Sequence, residues 1–88
     1  MKIKNGFVVK ELAGQYVVVA LGAASKIFNG IIKLNDSAKF IWDKLAVGAE
    51  KDDVVNALLE EYEGVDRATA ENDFDKFVEQ LKGADILE

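Results

Sequence analysis

The sequence predicts an α+β fold, a three-stranded antiparallel sheet followed by three helices, because two patterns meet at Leu34. Before Leu34, short runs rich in valine, isoleucine and aromatic residues are separated by turn-forming residues. After Leu34, apolar residues recur at three- and four-residue spacings, which is the period of an amphipathic helix. The chain has 88 residues, of which 50% are hydrophobic. We therefore expect one small domain over residues 1–88.

The strands are predicted at residues 7–12, 15–21 and 30–34. The first two runs flank Ala13-Gly14, a short break that suits a hairpin. The third run follows Phe28-Asn29-Gly30, a turn-prone stretch. Together they predict a small antiparallel sheet whose last strand leads directly into the first helix.

The helices are predicted from a cap at Asn35 or Asp36 to Gly48, from about residue 51 to residue 62, and from a cap at Asp66 to about residue 82. The expected cap of the second helix is Ala49, a poor capping residue. The inner faces are expected to carry Ala38, Ile41, Trp42 and Leu45, then Val54, Val55, Leu58, Leu59 and Tyr62, then Ala70, Phe74, Phe77, Val78 and Leu81. Ile86 and Leu87 are expected to fold back onto the core. Short helices after a small sheet form a winged-helix-like arrangement.

Phe40 lies off the apolar stripe of the first helix and should be exposed if that helix is regular. It would then either contact a partner or cover the edge of the sheet. Trp42 lies on the stripe and is expected in the core.

The residue inventory disfavours catalysis. The chain has no histidine and no cysteine, so the commonest general base and the thiolate metal ligands are missing. The hydroxyls of Ser25, Ser37 and Thr69 have no histidine to activate them. Acidic pairs such as Asp52-Asp53 are typical of a solvated helix face. We therefore expect no enzyme activity, no catalytic residue, no metal site and no cofactor.

The sequence predicts neither a membrane span nor a signal peptide. No apolar stretch approaches the roughly 20 residues that a span needs, and residues 1–4 lack the long apolar region of a signal peptide. A cytoplasmic location without membrane contact is the expectation.

Charge divides the chain at the same boundary as the periodicity. Residues 1–34 carry five lysines and one acidic residue, whereas residues 35–88 carry six basic and fifteen acidic residues. The winged-helix-like outline suggests a DNA-binding protein, but a recognition helix needs basic residues on its outer face. The third helix has three basic and four acidic residues, which disfavours nucleic acid as a partner.

Segments 34–42, 54–62 and 73–81 resemble the PqqD-like family, the peptide-recognition domains also called RiPP recognition elements. The most specific part is the pattern Leu-Asn-x-x-Ala-x-x-Ile-Trp at residues 34–42, and the resemblance extends over about residues 7–87. It implies a non-catalytic domain that binds the leader segment of a ribosomally made precursor peptide. It also implies presentation of that peptide to a modifying enzyme, often of the radical S-adenosylmethionine class.

The resemblance also implies where the peptide binds. In the family the leader adds as a strand to the edge of the third strand and lies against the third helix. The corresponding residues of this chain are Ile31, Ile32, Lys33, Leu34, Asp73, Lys76, Phe77 and Gln80. Leader peptides of this class are often acidic, so the ligand is expected to approach over Lys33. The family tends to place glycine before the final apolar pair, where this chain has Asp85.

The sequence does not determine which side chains of residues 31–34 face the groove. Successive strand residues point to opposite faces, so we expect Ile31 and Leu34, or Ile32 and Lys33, to alternate between the groove and the opposite face. A proline at Ile32 would weaken peptide binding if the backbone donor that it removes faces the edge. The other functional classes left open are a winged-helix DNA-binding protein and a structural, toxin–antitoxin-like interaction protein.

Overall fold

The computed structural model describes residues 1–26 and 31–88. Its elements are β1 (Phe7–Leu12), β2 (Gln15–Ala20), a short 3₁₀ helix (Gly22–Lys26), β3 (Lys33–Leu34), α1 (Asp36–Val47), α2 (Lys51–Glu61) and α3 (Arg67–Gly83). The predicted α+β order of three strands followed by three helices is confirmed. The short 3₁₀ helix after β2 was not predicted.

The sheet is antiparallel with the order β1-β2-β3, so that β2 is central. In the β1–β2 hairpin Val9 pairs with Val18, and Leu12 pairs with Gln15 across the turn. Both turn residues have positive φ, 52° at Ala13 and 78° at Gly14. This conformation matches the right-handed twist of the strands but favours asparagine or glycine over alanine.

Replacing Ala13 by Asn should therefore stabilise the fold. Asparagine tolerates the left-handed conformation that costs other L-residues roughly 1–2 kcal/mol, and we expect a gain of about 0.5–1 kcal/mol in the free energy of unfolding. Urea denaturation of the two proteins measures this gain. Ala13→Val is the opposite control, since a β-branched residue at this φ should lower stability.

The third strand is shorter than predicted. It comprises Lys33–Leu34, although the backbone N–H of Val18 also donates to the carbonyl of Ile32 at 2.9 Å. The predicted start at Gly30 lies outside the described residues. β2 ends at Ala20, one residue earlier than predicted, although the N–H of Leu21 still donates to the carbonyl of Gly6 at 2.7 Å, in register with the β1–β2 hairpin.

The core lies between one face of the sheet and the three helices. Trp42 is 4% exposed and Phe74 1% exposed, and every apolar residue predicted on the inner face of α3 is buried. Ala38, Leu59 and Tyr62 are half-buried and pack against this core. Ile86 and Leu87 are buried as predicted.

Phe40 does not have the exposure that the helical stripe predicted. Its side chain is half-buried against the core, with its ring edge-to-face with Tyr62 at a centroid distance of 5.9 Å. The Lys44 ammonium lies 5.1 Å from the centroid of the same ring. The reason is that α2 packs beside α1, so the second helix covers a side chain that an isolated α1 would expose.

The helix caps follow the sequence in two of three cases. The Asn35 side chain accepts the N–H of Ala38 at 2.8 Å, and the Asp66 side chain accepts the N–H of Thr69 at 2.7 Å. That bond to Thr69 lowers the pKa of the exposed Asp66 carboxyl. The cap of α2 is Glu50 rather than Ala49, and it makes no side-chain capping bond.

The N-terminal segment pairs with the C-terminal one. Ile3 forms an antiparallel bridge with Leu87, and the N–H of Lys4 donates to the carbonyl of Ile86 at 2.7 Å. Asp85 has a φ of 58°, which is the conformation that glycine adopts most readily. Its carboxylate accepts the Lys4 ammonium at 2.7 Å. The turn thus has the glycine-like backbone expected in the family, with an ion pair added.

Candidate functional site: a groove beside the third strand

The open edge of β3 presents backbone groups in a direction that the register fixes. Antiparallel partners alternate between pairs that exchange hydrogen bonds and pairs that do not. Val18 bonds to Ile32, so the neighbouring pair, Val17 and Lys33, is a non-bonded one. The N–H and C=O of Lys33 therefore point away from β2, towards the open edge.

The side chains of this segment alternate differently from the sequence-based pairs. Ile32 and Leu34 are each 6% exposed, whereas Ile31 is 78% exposed and Lys33 is exposed. The sequence analysis paired Ile31 with Leu34 and Ile32 with Lys33. In the structure Ile32 and Leu34 share the buried face, and Ile31 and Lys33 share the exposed one. The proposed pairs are therefore wrong. Ile32 is also the wrong position for a proline test of the edge, because its backbone faces β2.

A groove of about 260 Å³ lies between β3, the start of α1 and α3. Five of the predicted site residues line it: Lys33, Asp73, Lys76, Phe77 and Gln80. The four from α3 are spaced three and four residues apart, which places them on one face of that helix. Ile31, Ile32 and Leu34 do not line the groove. Ile32 and Leu34 instead anchor the strand in the core.

The start of α1 supplies groove residues that the sequence analysis did not assign to the site. Asn35, Ser37, Ala38 and Ile41 line the groove on the side facing α3. A signal for them was available, since residues 35–41 follow β3 without a linker. A helix that starts where an edge strand ends begins beside that edge, so its first turn is a candidate for lining the groove.

The groove combines an apolar floor with a charged rim. Phe77 and Ile41 form the apolar floor. They are 6% and 1% exposed, so the little surface that each retains faces the groove. Lys76 and Asp73 line the groove from α3, and Lys33 lines it from the edge of β3. By its pairing with Val17, the Lys33 side chain leaves the strand on the side away from the core. Within residues 1–26 and 31–88, neither lysine forms an ion pair. Both ammonium groups are therefore available to a carboxylate on a ligand.

Asn35 has a capping role that can be separated from ligand contact. Its Oδ1 accepts the N–H of Ala38 at 2.8 Å and the Ser37 hydroxyl at 3.1 Å, so the oxygen of the side chain is already engaged within the chain. Asn35→Ala should lower the free energy of unfolding by about 1 kcal/mol and leave peptide affinity nearly unchanged. Thermal melts and peptide titrations of the same samples check both parts. A large affinity loss at an unchanged melting temperature would contradict this role.

In the part of the chain that the structure describes, no three acidic, histidine or cysteine side chains come together as a potential metal site. Two side chains in this part of the chain have a displaced pKa. The pKa of Asp66 is lowered by its bond to Thr69, and the pKa of Tyr62 is raised by burial and by nearby Asp36 and Glu61. Neither lines the groove. No helix among these residues is long and apolar enough to cross a membrane.

The model of one protein family matches residues 15–87, and its description is coenzyme PQQ synthesis protein D (PqqD). The chain belongs to the PqqD family. No match was found among curated protein sequences. The resemblance stated from segments 34–42, 54–62 and 73–81 is thus confirmed.

Two solved structures resemble the whole PqqD-like fold of this chain. One is described as TbiB1 in complex with the TbiA(beta) leader peptide, with 28% sequence identity and a TM-score of 0.77. The aligned region covers 100% of this chain and 95% of the TbiB1 chain. The other is lasso peptide synthetase B1 complexed with the leader peptide, with 29% identity and a TM-score of 0.71, and here the coverage is 93% and 89%. Both relatives hold a leader peptide.

Proposed function

We propose that this PqqD-family domain binds the leader segment of a ribosomally synthesised precursor peptide by strand addition to β3. The observation that carries the proposal is the open edge at Lys33 next to a groove lined by β3, α1 and α3. An extended peptide would complete the ladder with its backbone and place alternate side chains in the groove. The two structural relatives are complexes with a leader peptide, which supports a leader peptide as the ligand.

The domain presents the bound peptide and leaves the chemistry to another protein. Strand addition requires only backbone donors, acceptors and a groove, all of which this chain has. We propose that a separate modifying enzyme, such as one of the radical S-adenosylmethionine class, acts on the peptide. Since the precursor is made on ribosomes, we place this function in the cytoplasm.

The site residues divide into three roles. Lys33 would offer the edge N–H and C=O, with Ile31 two residues earlier continuing the same edge. Phe77 would contact an apolar leader side chain, and the rim residues Asp73, Lys76 and Gln80 would contact polar ones. Ile32 and Leu34 would hold the strand in place from the core.

A titration tests the proposal directly. The purified chain is titrated calorimetrically with a synthetic leader peptide from the precursor encoded beside its gene, and a scrambled peptide of the same composition is the control. We expect saturable binding of the true leader with a stoichiometry of one. Equal binding of both peptides, or of neither, would refute leader recognition. Incubating chain and full precursor alone should leave the precursor mass unchanged.

The charge of the rim predicts a salt-dependent contribution. Leaders of this class are often acidic, so Lys33→Glu should reduce affinity, by a free energy of about 1 kcal/mol or less, and the loss should shrink as salt rises. Lys82→Glu, an exposed substitution on α3 that does not line the groove, is the matched control. An equal, salt-independent response of both variants would mean that Lys33 serves only to protect an edge strand from aggregation.

A further inference from the structure

The sheet has a second face, which the proposed peptide site does not use. The β1–β2 register places Val8 opposite Val19 and Lys10 opposite Val17 on one side of the sheet. On the opposite side, Val18 is 4% exposed, and Phe7, Val9 and Tyr16 pack against the core. The side that carries Val8, Val17 and Val19 is called here the outer sheet face.

Apolar side chains are unusually prominent on the outer sheet face. Val8 is 37% exposed and Leu12, which follows it on the same side, is 57% exposed. Ile31 is 78% exposed and has the parity of Lys33, which pairs with Val17 on this face. Exposed apolar side chains gathered on one face of a sheet, with the half-buried Val17 and Val19 between them, are typical of protein–protein contact.

The charges of the outer sheet face narrow the choice of partner. Its strand residues include Lys10 and Lys33 and no acidic residue, although the chain has a net charge of −5. Two copies meeting through this face would bring lysines towards lysines, which opposes self-association. A complementary partner has an apolar surface bordered by carboxylates.

The outer sheet face is also continuous with the proposed peptide site. A peptide strand added beside Lys33 would extend the same sheet, and its side chains would alternate between the groove and the outer face. The residues that turn outward would stand next to Ile31 and Lys33. The domain and its peptide would then form one composite surface.

We propose that the outer sheet face docks the modifying enzyme, through an apolar, carboxylate-bordered patch of that enzyme, and that the bound leader forms part of the contact. This inference rests on the proposed leader-binding function. It goes further in assigning a second surface, on the opposite side of the sheet from the core, to a second partner. It also explains presentation, since one sheet would hold the peptide and the enzyme in a fixed relative position.

The probe is the purified modifying enzyme encoded beside this chain's gene, titrated against the full chain with and without the synthetic leader. We expect Lys10→Glu and Leu12→Ser each to weaken enzyme binding by about tenfold or more, as for central contacts of an interface, and the leader to strengthen binding to the wild type. Leader affinity should stay unchanged, because neither residue lines the groove. Lys82→Glu and Val47→Ser, a lysine and an 82%-exposed valine on helices, are the matched controls.

The possible failures are distinguishable. If the wild-type chain binds the leader but not the enzyme, the docking surface is refuted and leader recognition is not. The same holds if Lys10→Glu and Leu12→Ser leave enzyme binding unchanged. If sedimentation shows a dimer of the wild type that Leu12→Ser abolishes, the outer sheet face binds a second copy, and the proposal is likewise refuted. Chain that binds the enzyme but no leader would refute the proposed function and, with it, the composite surface.

Discussion

Replacing Lys33 by proline should reduce leader affinity by about 10- to 100-fold while the domain stays folded. Proline removes the N–H that the register directs to the open edge, and an unpaired peptide carbonyl in the interface costs about 1–3 kcal/mol. The proline ring also occupies the space that the added strand would enter. β3 is an edge strand, where proline is tolerated, and the bond from Val18 to Ile32 does not use the N–H of Lys33.

Lys33→Ala is the variant that separates the backbone from the charge. It retains the edge N–H but loses the ammonium group, so its affinity loss should match that of the rim charge alone. Calorimetric titration of the leader into the wild type and both variants gives the comparison, with circular dichroism melts to confirm folding. If Lys33→Pro and Lys33→Ala bind the leader equally well, the peptide does not pair with β3.

The distinction between Ile32 and Lys33 shows what the sequence could and could not predict about the site. Alternation along a strand was predictable, but which residues face the core depends on the pairing register with β2. That register is set by Tyr16 opposite Leu34 and by the burial of Ile32 and Leu34. The apolar-charged-apolar order of Ile32, Lys33 and Leu34 indicates this parity, a signal that the pairs proposed from the sequence did not use.

The helices were more predictable than the sheet edge. The inner face of α3 follows from its three- and four-residue spacing, and both polar caps follow from Asn35 and Asp66. The failures arose where one element covers another. Phe40 is half-buried because Tyr62, the residue after α2, lies against it. Ile3, for which no burial was predicted, is 5% exposed because it pairs with Leu87. Neither contact leaves a local pattern, since the partners lie more than twenty residues away.

The largest loss of stability is expected from Phe74→Ala. Phe74 is 1% exposed and is among the largest fully buried side chains of the core. Removing a buried phenylalanine ring leaves a cavity and typically costs about 3–5 kcal/mol. A small domain has a total stability of only about 5–15 kcal/mol, so this loss would be a large part of it. The melting temperature should fall by roughly 12–40 °C, at 4–8 °C per kcal/mol.

Urea denaturation and calorimetric melts of Phe74→Ala measure the loss, and Asn72→Ala on the same helix is the control. Asn72 is exposed, so its replacement should change the free energy of unfolding by about 0.5 kcal/mol or less. Phe74 does not line the groove, whereas its neighbours Lys76 and Phe77 on α3 do. Phe74→Ala therefore removes no groove residue. Below its melting temperature the variant should still bind the leader, with affinity reduced only by the fraction of the protein that is unfolded. A stability change as small as that of Asn72→Ala would show that α3 does not pack in the core through Phe74.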